Sequence, residues 1–98
     1  MLTPRFQAVS QQPDIALFVP LLLGGGAERV MVDLAGGFAE RGFNVDLVLG
    51  RAEGVYLPSV SSRVNVVDLS SSRTVTALPR LAQYLRQNKP KALMATLE

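Results

Sequence analysis

Residues 21–29 read LLLGGGAER, and the rest of the chain is arranged around this stretch. The apolar run Ile15–Val19 precedes it, and a helical pattern of apolar residues from Ala27 to about Arg41 follows it. This order predicts a buried strand, a glycine-rich turn and a helix whose first N–H groups point back at the turn. The N-terminus of a helix carries about half a positive charge together with unpaired N–H donors. We therefore expect the turn to hold part of a phosphate-bearing or acidic ligand.

The composition excludes several classes of function. The chain has 98 residues, of which 48% are hydrophobic and 18% are charged, as in a folded globular domain. A net charge of +2 does not indicate binding to nucleic acid or to an anionic membrane. Because the chain has no Cys and no His, it cannot build a disulfide, a thiolate metal site or a serine–histidine triad. The run Ile15–Leu23 is too short to span a membrane, which needs about 20 apolar residues.

The first predicted helix carries an apolar row at Val30, Leu34 and Phe38. We expect this row to face the sheet, with Met31 and Ala35 beside it. The charged residues are expected on the other side of the helix: Glu28, Arg29, Asp33, Glu40 and Arg41.

Three glycines near the end of this helix need an explanation. Gly36 and Gly37 lie inside it, where each glycine costs about 1 kcal/mol relative to alanine, so we expect them to allow close backbone contact with the sheet. Gly42 stands where a helix C-cap glycine belongs.

The remaining pattern is that of an α/β protein. Residues 1–13 are predicted to be a flexible leader, and one domain is predicted from residue 14 to residue 98. Further strands are predicted within residues 43–49, 64–69 and 91–97, and a second helix from about Thr76 to Asn88. The order β-α-β-β-α-β predicts a Rossmann-like, doubly wound parallel sheet with strand order 3-2-1-4. The crossover through residues 50–62 shows no helical pattern and is expected to be irregular.

The second predicted helix has one apolar face, and the last strand has no cover. The face is expected to consist of Leu78, Leu81, Ala82 and Leu85, with Pro79 in the first turn, where a missing N–H costs little. The last strand would form an exposed apolar edge of the sheet, and native proteins cover such edges. We therefore expect either a longer chain or a partner to cover it.

The glycine turn matches neither of two common nucleotide-binding motifs. Arg29 stands where the dinucleotide fingerprint has Gly or Ala, and the second strand ends in Leu49-Gly50-Arg51, without an acid to bind a ribose. No Lys-Ser or Lys-Thr follows the glycines, so the turn is not a Walker A loop. A simpler interpretation, that the glycines only make a tight connection, stays open.

Arg29 favours an anion site, because a cation in the first turn opposes the helix dipole by about 0.3–1 kcal/mol. Alternatively, Arg29 is a solvated surface residue and Glu28 an acid that suits the start of a helix. The other polar candidates are interpreted mainly as structural: strand-end or turn acids at Asp46 and Asp68, packing tyrosines at Tyr56 and Tyr84, and solvent-facing Arg80 and Arg86. Thr96 and Glu98 end the last strand at the ligand edge.

Several stretches resemble the start of a family 4 glycosyltransferase. They are FVP at 18–20, LGGGAERV at 23–30, FAERG at 38–42 and VDLV at 45–48. The predicted elements after residue 64 continue the resemblance, which covers residues 14–98. It implies a two-domain GT-B enzyme with facing Rossmann-like halves, of which this chain is the first part of the N-terminal, acceptor-side half.

The resemblance also implies an activity and a site. Such enzymes are hexosyltransferases of glycan biosynthesis that transfer a sugar from a nucleotide-sugar donor to a sugar or lipid-linked acceptor, usually with retention and without a metal or other cofactor. The N-terminal glycine loop faces the donor's diphosphate and transferred sugar, which here implies Gly24, Gly25, Gly26 and, less directly, Arg29. No catalytic residue of the family falls within this chain, so we expect it to be inactive without the C-terminal domain. The implied location is the cytoplasm, with peripheral contact at the membrane surface as an open alternative for the full protein.

Two other functions remain as alternatives. The first is a non-catalytic α/β binding module whose open edge is completed by a partner chain. The second is a nucleotide-dependent oxidoreductase, which Arg29 and the missing acid after the second strand disfavour.

Overall fold

The structure is a computed structural model that describes residues 12–20, 26–51, 57–71 and 73–96. In these ranges four parallel strands form one sheet: β1 (Ile15–Val19), β2 (Val45–Leu49), β3 (Asn65–Asp68) and β4 (Ala92–Ala95). The two helices described are α1 (Gly26–Glu40) and α2 (Thr74–Asn88), and a short 3₁₀ turn covers Leu57–Ser59 in the β2–β3 crossover. The strand order is β3-β2-β1-β4, so the predicted fold class and strand order are confirmed.

The two helices cover opposite faces of the sheet. Along β1, Leu17 and Val19 belong to the core under α1, whereas Ala16 and Phe18 belong to the core under α2. Alternation follows from the two-residue period of a strand, and burial on both faces explains why β1 is a continuous apolar run. The fold is therefore a Rossmann-like, doubly wound α/β arrangement.

The buried face of α1 differs from the predicted one. Val30, expected to face the sheet, is 54% exposed. Met31 and Ala35 are buried, as expected from their place beside the predicted row, and Glu28, Val32 and Ala39 are buried as well. The row through Ala35 and Ala39 lies next to the predicted row on the helix surface, and its small side chains let the helix backbone approach the sheet closely.

The explanation proposed for Gly36 and Gly37 is wrong. A Cβ built on Gly36 would lie 3.8 Å from the Cβ of Ser61, and one on Gly37 would lie 3.6 Å from Nη1 of Arg41. Both distances are ordinary van der Waals contacts, and neither involves the sheet. The sheet therefore does not require glycine at these positions.

Gly42 ends α1 as predicted. Its φ of +94° lies in the left-handed region, which glycine adopts without a Cβ clash. Its N–H donates to the carbonyl of Ala39 at 3.1 Å, and the N–H of Phe43 donates to the carbonyl of Phe38 at 3.2 Å. This pair of bonds is a Schellman motif, and the edge-to-face contact of the Phe38 and Phe43 rings, 6.2 Å between centroids, supplies its usual apolar contact.

The buried face of α2 is also rotated relative to the prediction. Leu81 is buried as expected, but Leu78 is 46% exposed and Ala82 is exposed, whereas Ala77 and Tyr84 are buried. Because α2 begins at Thr74, Pro79 is its sixth residue and lies in the second turn, not the first. There its missing N–H removes a bond within the helix.

The amino-terminal ends of three strands are joined around Asp14. The N–H of Asn44 donates to Oδ2 of Asp14 at 2.8 Å, and Nζ of Lys91 lies 3.4 Å from Oδ1. The backbone bond from Asn44, followed by the charge and hydrogen bond of Lys91, lowers the pKa of Asp14 below its usual value, while partial burial opposes this. The side chain of Gln12 donates to the carbonyl of Lys89, and Pro13 accepts from the N–H of Lys91 at 3.1 Å.

Candidate functional site

The carboxyl ends of the parallel strands form one edge of the sheet, and α1, the next described element after β1, begins there. Backbone hydrogen bonds join this edge. The N–H of Gly50 donates to the carbonyl of Val19 at 3.1 Å, and the carbonyl of Gly50 accepts from the N–H of Ser71 at 2.6 Å. On the β4 side, the N–H of Thr96 donates to the carbonyl of Phe18 at 3.1 Å. Open α/β sheets bind their ligands at this edge, next to the point where the strand order reverses.

Two of the four predicted binding residues, Gly26 and Arg29, lie at the start of α1. Gly24 and Gly25 fall outside the described residues. Gly26 is the first residue of α1 and is exposed, and a Cβ built on it would meet no atom of the described residues within 4 Å. The absence of a side chain at Gly26 leaves room for a ligand to approach the first N–H groups of the helix.

Arg29 lies in the first turn of α1 with its side chain 63% exposed. Its Nε is 3.6 Å from Oδ2 of Asp33, one helical turn later. Such an exposed pair contributes about 0.3–0.5 kcal/mol, comparable to the unfavourable interaction of the cation with the helix dipole. The ion pair thus gives Arg29 a structural role on the surface of α1.

Glu28 was expected on the solvent-facing side of α1, and this was wrong: it is 4% exposed. It is the third residue of the helix, where a carboxylate interacts favourably with the dipole and is typical of a capping box. The sequence contained a signal for this position, because Glu28 stands three residues after Gly25, the spacing of a capping box. A charged residue is seldom buried, so hydrophobic periodicity alone assigned it to solvent.

Asp46 is the second residue of β2 and is buried far from the carboxyl end of the strand, so it does not lie at the ligand edge. It is 4% exposed, and its Oδ1 accepts a hydrogen bond from Nδ2 of Asn65 at 3.0 Å. Its Oδ2 accepts from the hydroxyl of Tyr84 on α2. Tyr84 is therefore more than the packing residue that was predicted, because it joins α2 to the sheet through a buried polar contact.

Asp68 and Arg80 support the connection from β3 to α2. Oδ1 of Asp68 accepts from the N–H of Ser70 at 2.8 Å, and Ser70 has a positive φ of 56°. Arg80 was expected only to face solvent, but its Nη1 donates to the carbonyls of Leu69 and Ser70 at 2.7 and 2.6 Å. Arg86 is exposed as expected. Tyr56 and Glu98 lie outside the described residues.

An open groove of about 310 Å³ lies between β3 and α2. Its polar lining includes Asp68, Arg80, Gln83 and Gln87. The groove is on the α2 face of the sheet, whereas α1 covers the other face, so it is separate from the predicted site.

Metal ligands and membrane-spanning helices are two further features that bear on function. Within the described ranges no three acidic residues come together in a way that could hold a metal ion. Neither of the two helices described there has the length and apolar character that crossing a bilayer requires.

Comparison with known families agrees with this architecture. The model of Glycosyltransferase Family 4 matches residues 24–96, which is well over half of the chain and includes the glycines, α1, all strands after β1 and α2. The chain belongs to Glycosyltransferase Family 4. Neither the curated proteins nor the solved structures contained a match.

Proposed function

We propose that this chain forms the first part of the N-terminal half of a retaining glycosyltransferase. The enzyme would transfer a sugar, of the hexose type, from a nucleotide-sugar donor to a sugar or lipid-linked acceptor. The observation that carries the proposal is family membership together with the start of α1 at the carboxyl edge of the sheet. The lipid-linked class of acceptor favours a cytoplasmic enzyme that works at the membrane surface.

The chemistry assigned to this edge is electrostatic. When the sugar leaves the donor, negative charge develops on the nucleoside diphosphate. Backbone N–H groups of Gly24, Gly25 and Gly26 and the guanidinium of Arg29 are proposed to stabilise that charge. Donors that are already oriented toward developing charge lower the barrier because they need no reorganisation during the reaction. No metal or other cofactor is required for this role, and the donor acts as co-substrate.

The proposed active site needs residues from a second domain. This chain contributes no proposed catalytic base or nucleophile, and it has no His. A C-terminal domain that binds the nucleotide would close over the glycine turn and complete the cleft. We therefore expect the 98-residue chain alone to transfer no sugar.

The proposal is tested first by the intact mass of the protein as its native cell makes it. A mass several times the 10.6 kDa of this chain is expected, followed by turnover of at least one nucleotide sugar in a donor screen on that full-length protein. A full-length protein that binds no nucleotide sugar contradicts the proposal.

A second candidate is a non-catalytic α/β module completed by a partner chain. The observation in its favour is that all residues of β4 are exposed. A native mass equal to that of the 98-residue chain, together with co-purification of a second protein, would make this the better account. A nicotinamide-dependent oxidoreductase is disfavoured by family membership.

A further inference from the structure

The charge of the chain is unevenly distributed. Residues 73–91 contain no Asp or Glu and carry half of the 10 Lys and Arg residues, namely Arg73, Arg80, Arg86, Lys89 and Lys91. The net charge of +2 therefore divides into +5 for this segment and −3 for the rest of the chain. The segment consists of α2 and the residues next to its two ends. The net charge of the whole chain thus conceals a strongly basic helix, which is typical of a surface that binds anions.

Three of these cations form no ion pair within the described ranges. Arg80 donates to backbone carbonyls of the β3–α2 connection, and Nζ of Lys91 lies 3.4 Å from Oδ1 of Asp14. The other three side chains belong to exposed residues and form no ion pair with another described residue: Arg73, Arg86 and Lys89. Their charges therefore remain for a partner outside this part of the chain.

The solvent-facing side of α2 is apolar between these cations. Val75 is 77% exposed and Leu78 is 46% exposed, and Pro79 and Ala82 are exposed beside them. Because neighbours on a helix surface are three or four residues apart, these four residues form one strip, which Arg86 continues. From Val75 to Arg86 this outer strip of α2 is about 16 Å long. It has basic residues at both of its ends.

An apolar strip with cations around it fits the surface of an anionic bilayer better than it fits other anions. The phosphates of a nucleic acid would use the cations but would offer no partner to Val75 and Leu78. A protein that wraps around a basic helix would have to release α2, yet Ala77, Leu81 and Tyr84 hold it in the core. A flat bilayer contacts the outer strip alone, and basic amphipathic helices bind there with their apolar side chains among the headgroups.

We propose that the outer strip of α2, together with Arg73 and Lys89, binds a bilayer that contains anionic lipids. Val75 and Leu78 enter the headgroup region, and the cations bind lipid phosphates. Docking of this kind goes beyond the proposed function, because it assigns a contact surface and a lipid charge. It does not depend on sugar transfer, since it requires neither donor nor acceptor.

Vesicle binding by the full-length protein is the test. Sedimentation measures it, without donor or acceptor, on vesicles of phosphatidylcholine and on vesicles of phosphatidylcholine and phosphatidylglycerol in equal parts. Arg86→Gln/Lys89→Gln removes two cations, and Val75→Ser shortens the apolar strip. The control Arg41→Gln/Arg63→Gln removes two exposed cations outside α2, so it changes the net charge by the same amount. Because every substituted residue is exposed, circular dichroism should show all variants folded.

The wild type should bind the mixed vesicles more tightly than phosphatidylcholine vesicles, and added salt should weaken this binding. Arg86→Gln/Lys89→Gln should weaken it about 25-fold, since each Lys or Arg near an anionic surface contributes about fivefold. Val75→Ser should weaken it about tenfold, because the burial of a valine side chain is lost. The control variant should stay within about twofold of the wild type, since cations far from the bilayer are screened.

Three results would overturn the proposal. The first is a wild type that binds neither kind of vesicle, or both equally. The second is an equal loss of binding in the control variant, which would show an effect of net charge and not of α2. The third is wild-type binding by Val75→Ser, because the surface would then recognise negative charge alone, as on an acidic protein. Donor turnover is measured separately without vesicles, so a failure of the proposed function leaves the vesicle result unchanged.

Discussion

Arg29 carries its charge in the first turn of α1, where the helix dipole disfavours a cation. Its ion pair with Asp33 offsets that cost, but it does not explain why a cation stands there. In the full-length protein, Arg29→Ala should lower kcat/KM for the donor about 10–100-fold, because a hydrogen bond to a charged group contributes about 1.5–3 kcal/mol. Stability should change by less than about 0.5 kcal/mol, as expected for an exposed residue.

Asp33→Ala is the matched control for Arg29→Ala. It breaks the same ion pair but keeps the guanidinium of Arg29. Its donor kinetics should stay within about twofold of the wild type, since exposed pairs contribute little. Equal kinetic losses in the two variants would mean that the ion pair, and not an anion contact, is the reason for Arg29.

The buried contact between Asp46 and Tyr84 is expected to contribute to stability. Tyr84→Phe removes the hydroxyl that donates to Oδ2 of Asp46 and leaves the ring in the core. The free energy of unfolding in urea should fall by about 1–3 kcal/mol, because a buried carboxyl group loses a donor that water cannot replace.

A double-mutant cycle separates this contact from packing. Asp46→Ala also frees Nδ2 of Asn65, so it should cost at least as much as Tyr84→Phe. The double variant should be less destabilised than the sum of the two single variants, as is usual for residues in one network. Strict additivity would show that the Tyr84 hydroxyl and Asp46 do not interact.

At the scale of elements, α1 provides two glycines with opposite expected responses to alanine. Gly36 is inside the helix with room for a Cβ, whereas Gly42 ends the helix with φ at +94°. Gly36→Ala should stabilise the chain by about 0.5–1 kcal/mol, because glycine loses more backbone entropy on folding. Gly42→Ala should destabilise it by about 1–2 kcal/mol, the cost of a left-handed conformation.

Urea unfolding of these two variants serves as a paired measurement, since the chemical change is the same in both. The two expected changes in stability have opposite signs because Gly36 has a helical backbone and Gly42 a left-handed one. Destabilisation by Gly36→Ala would mean that the contact with Ser61 is tighter than its 3.8 Å distance indicates.

The bonds of Asp14 join the amino ends of β1, β2 and β4 and make stability depend on pH. The pKa of Asp14 is lowered in the folded state, so its stabilising contribution is present above its ordinary pKa of 3.8 and is lost as the pH falls through the lower folded value. Asp14→Asn should therefore reduce the loss of thermal stability that the wild type shows when the pH is lowered from 5 to below 3.8.

Lys91→Ala tests which contact lowers the pKa of Asp14. The backbone N–H of Asn44 is the larger cause, and it remains in this variant. Lys91→Ala should therefore reduce the acid-dependent loss of stability less than Asp14→Asn does. A larger effect of Lys91→Ala on thermal unfolding between these pH values would contradict that order.

At the scale of the whole molecule, β4 is the least protected strand described. Its residues pair with β1, and Leu93 and Met94 are 42% and 39% exposed. Because they stand beside Ala16 and Leu17, which belong to the two different cores, they lie on opposite faces of the sheet. Both faces of β4 are therefore apolar and uncovered at an edge, an arrangement that favours association between chains.

The 98-residue chain should accordingly associate with itself as its concentration rises. Leu93→Lys should reduce this association in sedimentation velocity, because a charge on an edge strand disfavours strand pairing. Val75→Lys is the control: Val75 is 77% exposed but lies on α2, whose backbone groups are mostly bonded within the helix. A wild-type chain that stays monomeric over the whole concentration range would contradict the prediction.

The predictions that succeeded depended on local signals. The bounds of β1 were predicted to the residue, because a five-residue apolar run between a charged residue and a proline is a strong signal. The cap at Gly42 followed from its place after a helical pattern. Three of the predictions that failed, at Val30, Glu28 and Leu78, concern which side of a helix faces the sheet. Each helix has two neighbouring rows of similar hydrophobicity, so the periodicity of the sequence did not decide which row is buried.

In the candidate site, too, local features were predicted from the sequence and contacts between distant residues were not. Gly26 was predicted to end the turn before a helix that starts at Ala27, and Arg29 to lie in the first turn of that helix. The structure starts α1 one residue earlier, so both residues lie in its first turn. The predicted roles of Gly24 and Gly25 fall outside the described residues and stay predictions. Gly50 was assigned only to a loop, although a Cβ there would lie 2.6 Å from the carbonyl oxygen of Pro20, because that contact joins residues that are far apart along the chain.

The sequence by itself determined the type and order of the elements, the parallel sheet with its strand order, and the membership of a glycosyltransferase family. These properties depend on hydrophobic period, turn residues and motifs, all of which act over short stretches of chain. Only the tertiary structure decided which row of each helix is buried, that Tyr84 reaches Asp46, and that Gly50 must lack a side chain. Those outcomes depend on distances between separate elements, which packing sets and no local pattern contains.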